Sequence, residues 1–211
     1  MKIADLRQEY MRAGLGEADA DRDPIRQFER WFEDALRARL PLPNAMTLAT
    51  VSAQGAPSAR LVLLKGIENG GFTFYTNYRS RKARELEARG RACLVFLWSP
   101  LERQVRVDGT IERVSAEESD VYFASRPRDS QIAAWAAPQS SELPHRAALE
   151  TRYAELSVKY EGQRVPRPPD WGGYRVVPNR VEFWQGRPKR LHDRLVYVKD
   201  EHGWTRTRLA P

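Results

Sequence analysis

The order of apolar and polar positions divides the chain into an amphipathic helix, a run of period-two segments, a helical middle and a second group of strands. Asp23-Pro24 pairs an N-cap with a proline at the first helical position, and Ile25, Phe28, Phe32, Ala35, Leu36 and Leu40 then recur on one stripe. This spacing predicts a helix ending near Pro41. From Ala45 the period becomes two. AMTLATVS, SARLVLLKG and GFTFYTN, separated by turns at Gln54-Gly55 and Asn69-Gly70-Gly71, predict three strands in an antiparallel meander. Ser80 can cap a short helix carrying Ala83 and Leu86, after which RACLVFLW and RQVRVDGTIERV supply two further strands.

Ser115 with Glu118 three residues later forms a capping box, opening a helix that stops before Pro127. A second helix is expected from Gln131 to Ala136 and a third from Pro144 to about Tyr160. The stretch GQRVPRPPDWGG reads as a loop and not a domain boundary, because the strands YRVVP, RVEFWQG, RLHDRLVYVK and WTRTRL follow at once. No internal repeat or low-complexity tract is present. The sum is a mainly β fold, an antiparallel barrel of six to eight strands with peripheral helices, within the size of a single domain.

The net charge of +7 directs attention to anionic partners. The cations are scattered through strands and turns, which favours small phosphate sites over a continuous nucleic-acid track. The single cysteine, Cys93, sits in an apolar run, reads as a buried thiol and suits a reducing cytoplasm. The start MKIADLRQEYMRAG has no apolar signal-peptide core, and no stretch approaches the roughly 20 apolar residues of a membrane span. A cytoplasmic protein without a membrane partner is therefore expected. Neither GxGxxG nor GxxxxGK[ST] occurs, and His145, His192 and His202 lack carboxylates or thiols at metal-ligand spacing, so no metal site is expected. Redox chemistry would fall to a bound organic cofactor.

In RLHDR, strand alternation would project Arg190, His192 and Arg194 from one face, with Trp184 and Gln185 nearby as a stacking surface and an amide. The bland alternative is a solvated edge-strand face. Arg60 and Lys65 are an odd number of residues apart, so in a regular strand they point to opposite faces. Tyr122 and Arg126 at helical i,i+4 spacing, with Ser130 beyond Pro127, present hydroxyl, guanidinium and hydroxyl groups suited to a phosphate dianion. A solvated surface helix would look the same. Arg79, Arg81 and Lys82 open a helix, where exposed N–H groups favour an anion, although cations at a loop tip also occur for solubility alone.

Taken together, RQEY, RLVLLKG, FYTNYRSRKA, FLWSPLERQVRVDG, YFASRPRDSQIAAW, WGGY, VEFWQGRPKRLHDR and RLAP resemble the pyridoxamine 5′-phosphate oxidase family across nearly the whole chain. The resemblance implies an FMN-binding split β-barrel that works as a homodimer, with both subunits contributing to each flavin site. It implies oxidation of pyridoxamine or pyridoxine 5′-phosphate to pyridoxal 5′-phosphate, with oxygen as acceptor and hydrogen peroxide as by-product. By the same resemblance FMN is held by Arg60, Leu61, Val62, Leu63, Leu64, Lys65, Tyr75, Thr76, Arg81, Lys82, Gln104, Gln139, Ser140, Trp184 and Arg194. The substrate phosphate falls to Lys65, Tyr122, Arg126 and Ser130, and catalysis to Arg190 and His192 against the substrate ring. Arg7 and Tyr10 would come from a mobile N-terminal segment, residues 1–22, ahead of a single domain at 23–211. Ala137 and Lys189 depart from the family pattern without removing a ligand. Still open are a related flavin oxidase with a phenazine-type substrate, a flavin- or pyridoxal-phosphate-carrying module without turnover, and a basic nucleic-acid-binding barrel.

Overall fold

The computed structural model describes residues 14–211. Five α-helices decorate nine antiparallel strands: α1 (Pro24–Arg37), β1 (Ala45–Val51), β2 (Pro57–Leu63), β3 (Gly66–Glu68), β4 (Gly71–Asn77), α2 (Arg81–Arg89), β5 (Arg91–Trp98), β6 (Arg103–Arg113), α3 (Ala116–Ser125), α4 (Arg128–Ala136), α5 (Arg146–Lys159), β7 (Trp171–Gln185), β8 (Asp193–Asp200) and β9 (Gly203–Arg208). The sheet order is β2-β1-β5-β6-β7-β4-β3, with β8 and β9 continuing from β7.

The expected three-strand meander is corrected by this order. β2 pairs with β1, but β4 pairs with β3 and β7 at the opposite end of the sheet. The reason lies in two successive amides. Leu64 N–H donates to Asn44 O at 2.8 Å, on the β1 side, and Lys65 N–H donates to Thr73 O at 2.8 Å, on the β4 side. The chain therefore crosses between the sheet's ends there and curls the sheet into a half-barrel.

The segments YRVVP and RVEFWQG, expected as two strands, form the one long strand β7, and the unanticipated short β3 is added, so the described residues hold nine strands against the anticipated six to eight. β6 pairs with β7 along its whole length, while β4 takes Trp171–Val176 of β7 and β8 takes Arg180–Gln185. Between them the register shifts. Asp108 faces Arg180 and Gly109 faces Pro178, leaving Asn179 as the extra residue of a bulge. Pro178 donates no hydrogen bond, and a Cβ on Gly109 would stand 2.2 Å from Val177 O, so both residues suit this split point.

Helix α1 plugs the half-barrel. Asp23 caps it by accepting from Ile25 N–H at 2.8 Å. Its buried stripe is Phe28, Trp31 and Ala35, with Gln27 beside them; Trp31 belongs to the stripe, whereas Leu36 turns outward and is 52% exposed. Phe28 meets Phe72 edge-on at 4.9 Å and Phe96 at 4.8 Å, and Trp31 meets Phe183 at 5.2 Å. Ser80 and Ser115 cap α2 and α3 as expected, while α4 begins three residues before the anticipated Gln131. A second, smaller core of Phe123, Ile132, Tyr160, Val165 and Trp171 fixes α3, α4 and α5 against the sheet.

Phe28 is fully buried among four aromatic rings. Phe28→Ala should cost about 3–5 kcal/mol in chemical denaturation with an unchanged m-value, since Phe72, Phe96 and Trp98 around it are pinned by the sheet. A loss below about 1 kcal/mol would show that α1 does not carry the core.

Candidate active site

A cleft of about 710 Å³ opens where the sheet ends meet, between β2, β4, α3 and α4. Leu61, Val62, Leu63, Lys65, Tyr75, Thr76, Lys82, Tyr122, Arg126, Ser130 and Gln139 line it, which brings together half of the site residues singled out from the sequence.

One pole is cationic through Arg126 and Lys65. Arg126 caps the C-terminus of α3 with extended backbone, φ −72° and ψ 149°, because Pro127 forbids helix at the preceding residue. The expected i,i+4 helical pair with Tyr122 is thus corrected, yet both side chains reach the cleft with Ser130 from α4. Gln131, whose role the sequence did not disclose, fixes this geometry. Its buried amide donates to the carbonyls of Phe123, Ala124 and Arg126 at 3.1, 3.1 and 3.0 Å, stapling the end of α3 to α4.

The Arg126 guanidinium lies 4.7 Å from the Trp171 ring centre and 5.5 Å from that of Phe123. Its Nη1 is buried without a hydrogen-bond partner, and burial pulls its pKa down. A half-buried cation without a counter-ion carries a desolvation cost, so an anion arriving there recovers energy the folded protein has given up. Lys65 Nζ stands 5.8 Å from the Tyr122 ring centre. Tyr75, Tyr122 and Trp171 stack as one wall, with Tyr75 and Tyr122 4.0 Å apart and tilted by 16°. Burial holds the Tyr75 hydroxyl up at about 12, so it stays protonated.

The other pole centres on Lys82, buried in the first turn of α2. Its ammonium donates to Thr76 Oγ1 at 3.1 Å, Ser80 Oγ at 3.3 Å and Gln139 Oε1 at 3.0 Å, all neutral acceptors. Burial and the nearby Arg60 charge lower it to about 8. Arg60 and Arg81 stand behind Lys82 and do not line the cleft; both bond Glu85, at 3.2 and 2.8 Å. Leu64 buries its side chain in the core, and Ser140 is exposed with φ 68°, outside the lining.

Gln104, Trp184, Arg190, His192 and Arg194 do not line this cleft. Gln104, Trp184 and Arg194 sit side by side in register across β6, β7 and β8, and the His192 ring lies 4.7 Å from Trp184. The expected strand alternation of Arg190, His192 and Arg194 is overturned. Pro188–Arg190 form a tight turn, and β8 starts only at Asp193. Pro188 lacks the N–H that a ladder needs, and the chain then passes through left-handed backbone at Lys189 (φ 57°) and Arg190 (φ 63°). Two consecutive non-glycine residues there cost about 1–3 kcal/mol each, which surrounding contacts must offset. Arg187 N–H donates to His192 Nδ1 at 3.1 Å, which leaves the ring proton on Nε2, and burial with the Arg190 charge lowers the His192 pKa. Arg7 and Tyr10 lie outside the described residues.

Among the described residues no group of three or more His, Cys, Asp or Glu could hold a metal, and no helix is long and apolar enough to cross a membrane. A half-barrel of antiparallel strands with two cationic poles on one cleft defines a protein of the split β-barrel class. Residues 32–160 match the family described as pyridoxamine 5′-phosphate oxidase, and 171–211 match the pyridoxine 5′-phosphate oxidase C-terminal dimerisation region. The chain belongs to the pyridoxamine 5′-phosphate oxidase family. It is 62% identical over 209 residues to a pyridoxine/pyridoxamine 5′-phosphate oxidase of Rubrobacter xylanophilus, spanning 99% of this chain and 96% of that one. A Burkholderia multivorans protein of the same name is 60% identical over 212 residues, covering 99% of each. Among solved structures, PhzG from Burkholderia lata in complex with tetrahydrophenazine-1-carboxylic acid superposes with TM-score 0.88 at 35% identity, covering 93% of this chain and 98% of that one. A pyridoxamine 5′-phosphate oxidase-related, FMN-binding protein from Nostoc punctiforme shares the fold, with TM-score 0.71 at 18% identity over 89% and 98% of the two chains.

Arg126→Met removes a buried charge while keeping most of the stem volume. The ligand-free variant should unfold at the same temperature as the parent or higher, and its KM for a phosphorylated substrate should rise about a hundredfold. A variant clearly less stable than the parent, with KM unchanged, would show that Arg126 is structural.

Proposed function

We propose that the protein oxidises pyridoxamine 5′-phosphate and pyridoxine 5′-phosphate to pyridoxal 5′-phosphate, using FMN as cofactor and oxygen as acceptor. The observation that carries this reading is the pair of cationic poles, Arg126 with Lys65 and Lys82 with its neutral partners, that line one aromatic-walled cleft. Each pole suits one phosphate monoester. Lys82 fits the FMN phosphate, with the Arg60–Arg81 pair held behind it by Glu85, and the apolar run Leu61 to Leu63 fits the edge of a flat ring. Lys65, Tyr122, Arg126 and Ser130 fit the substrate phosphate. FMN held there would supply the hydride acceptor for the substrate carbon, with oxygen as the final acceptor and peroxide as its product.

The protein's own contribution is orientation and exclusion of water. Lys65 and Arg126 anchor the substrate through its phosphate, and Tyr75 and Tyr122 present ring faces along its path. Arg190 and His192 meet the substrate ring at its reacting substituent. With Nδ1 occupied by the Arg187 N–H, His192 offers an Nε2 donor and keeps the reacting group in place.

The residues absent from the cleft are supplied by a second copy. Leu61 and Leu97, 73% and 65% exposed, share a sheet face with Gln104, Trp184 and Arg194 through the registers Leu61–Thr47–Val95 and Leu97–Gln104–Trp184–Arg194. A two-fold partner packed on this face buries those leucines and brings its own Trp184, Arg190, His192 and Arg194 to the cleft. The match of residues 171–211 to a dimerisation region supports this homodimer. The likeness to PhzG favours, as a second reading, a related oxidase acting on a different ring. The Lys65, Tyr122, Arg126 and Ser130 set argues for a phosphorylated substrate.

Aerobic incubation with each phosphorylated vitamer should release one peroxide per pyridoxal phosphate formed, and Arg190→Ala should lower kcat/KM by about a hundredfold or more with FMN retained. Wild-type protein that is colourless and releases no peroxide would refute the proposal.

Lys82 adds a pH signature. Its pKa near 8 in the free protein means that it is charged below pH 8 and must take up a proton to meet an anion above it. FMN affinity should therefore stay level up to pH 8 and fall above it, by as much as about tenfold per pH unit, in fluorescence titrations. In Lys82→Met the affinity should be weak and lack this fall. A wild-type profile level to about pH 9.5 would remove Lys82 from the phosphate site.

A further inference from the structure

The turn that carries Arg190 and His192 is tied down from outside the strand ladder. Asp193, the first residue of β8, is the knot. Its Oδ2 accepts from Leu15 N–H at 2.9 Å, its Oδ1 accepts from Arg208 Nη1 at 2.6 Å, and Arg187 Nε lies 3.5 Å from Oδ2. Arg208, in β9, also donates to both Glu17 carboxylate oxygens at 2.7 and 2.8 Å and to Leu15 O at 3.0 Å. Gly14 packs so closely that a Cβ would stand 2.7 Å from Asp193 Oδ2 and 2.9 Å from Arg187 Nη1. One carboxylate thus joins residues 14–17, the Arg187 turn and the final strand.

We propose that Asp193 is a positioning residue, with Arg208 and Glu17 as its support, that locks the left-handed turn at Lys189-Arg190 and so holds Arg190 and His192 in one orientation toward substrate. The inference rests on the reading that these two side chains serve the substrate. Arg187 transmits the constraint, because its guanidinium pairs with Asp193 while its backbone N–H holds His192 Nδ1. Left-handed backbone at two non-glycine residues persists only where surroundings over-determine it, and this ion-pair knot supplies that determination at the turn's two ends. Arg194 is anchored independently, by Glu182 at 2.7 Å and by strand pairing opposite Trp184. The effect of Asp193 therefore falls on Arg190 and His192 and spares the cofactor side.

Three variants test this: Asp193→Asn, Gly14→Ala and Glu17→Ala, each assayed as full-length holoenzyme for kcat, KM, FMN affinity and thermal midpoint. Asp193→Asn should lower kcat for pyridoxamine 5′-phosphate by about tenfold or more, with FMN affinity within about twofold of wild type. Gly14→Ala should do the same, because its new Cβ displaces the carboxylate. Glu17→Ala, which reaches Asp193 only through Arg208 at the surface, should cost about two- to threefold in kcat without a change in thermal midpoint. An active wild type with Asp193→Asn and Gly14→Ala variants of equal kcat would overturn the inference alone. So would losses in kcat matched by equal losses in FMN affinity, which would mark Asp193 as merely structural. A wild type inactive on both phosphorylated substrates would remove the underlying reading and this inference with it.

Discussion

Two adjacent backbone amides set the shape of this molecule. Leu64 bonds toward β1 and Lys65 toward β4, strands far apart in the sheet order, so the chain can satisfy both only if the sheet curls. The curl makes the cleft, and the same step delivers Lys65 to its wall while sending Leu64 into the core. The bulge at Asn179 does the complementary work on the far side. It lets one strand, β7, serve β4 with its first half and β8 with its second, so the strand that helps build the cleft also carries Trp184 away from it.

Charge then sorts the arginines and lysines into two groups. Arg60, Arg81 and Arg194 are balanced by the buried carboxylates of Glu85 and Glu182, and they stiffen the scaffold. Lys82 and Arg126 face neutral amides, hydroxyls and aromatic rings instead, and burial lowers the pKa of both. A buried cation with a carboxylate has already spent its attraction; one without still holds it for a ligand. On the proposed function, that contrast marks Lys82 and Arg126 as anion-binding positions in a chain with 35 Lys and Arg residues.

Elements with local signals were legible in the sequence: the Asp23-Pro24 start of α1, the serine caps of α2 and α3, and the alternation of β1, β5 and β6. Pairing was not, because nothing within GFTFYTN records that its partner lies about a hundred residues later in WGGYRV. The cleft residues Tyr122, Arg126 and Ser130 were readable as a group, although Pro127 turns Arg126 out of the helix that suggested them. RLHDR misled as a strand because its charges alternate as a strand's would, whereas Pro188, two residues before it, lacks the donor a ladder needs and leads into left-handed backbone at Lys189 and Arg190. Gln131 and Asp193 stayed hidden because their partners are backbone groups or distant residues, to which no residue spacing points.

Recognition of phosphate by the cleft is measured most directly by comparing riboflavin with riboflavin 5′-phosphate in calorimetric titrations of the unliganded protein. The phosphorylated form should bind at least about a hundredfold more tightly, near 2.7 kcal/mol, with the gap shrinking as salt is raised. Equal affinities for the two flavins would contradict it.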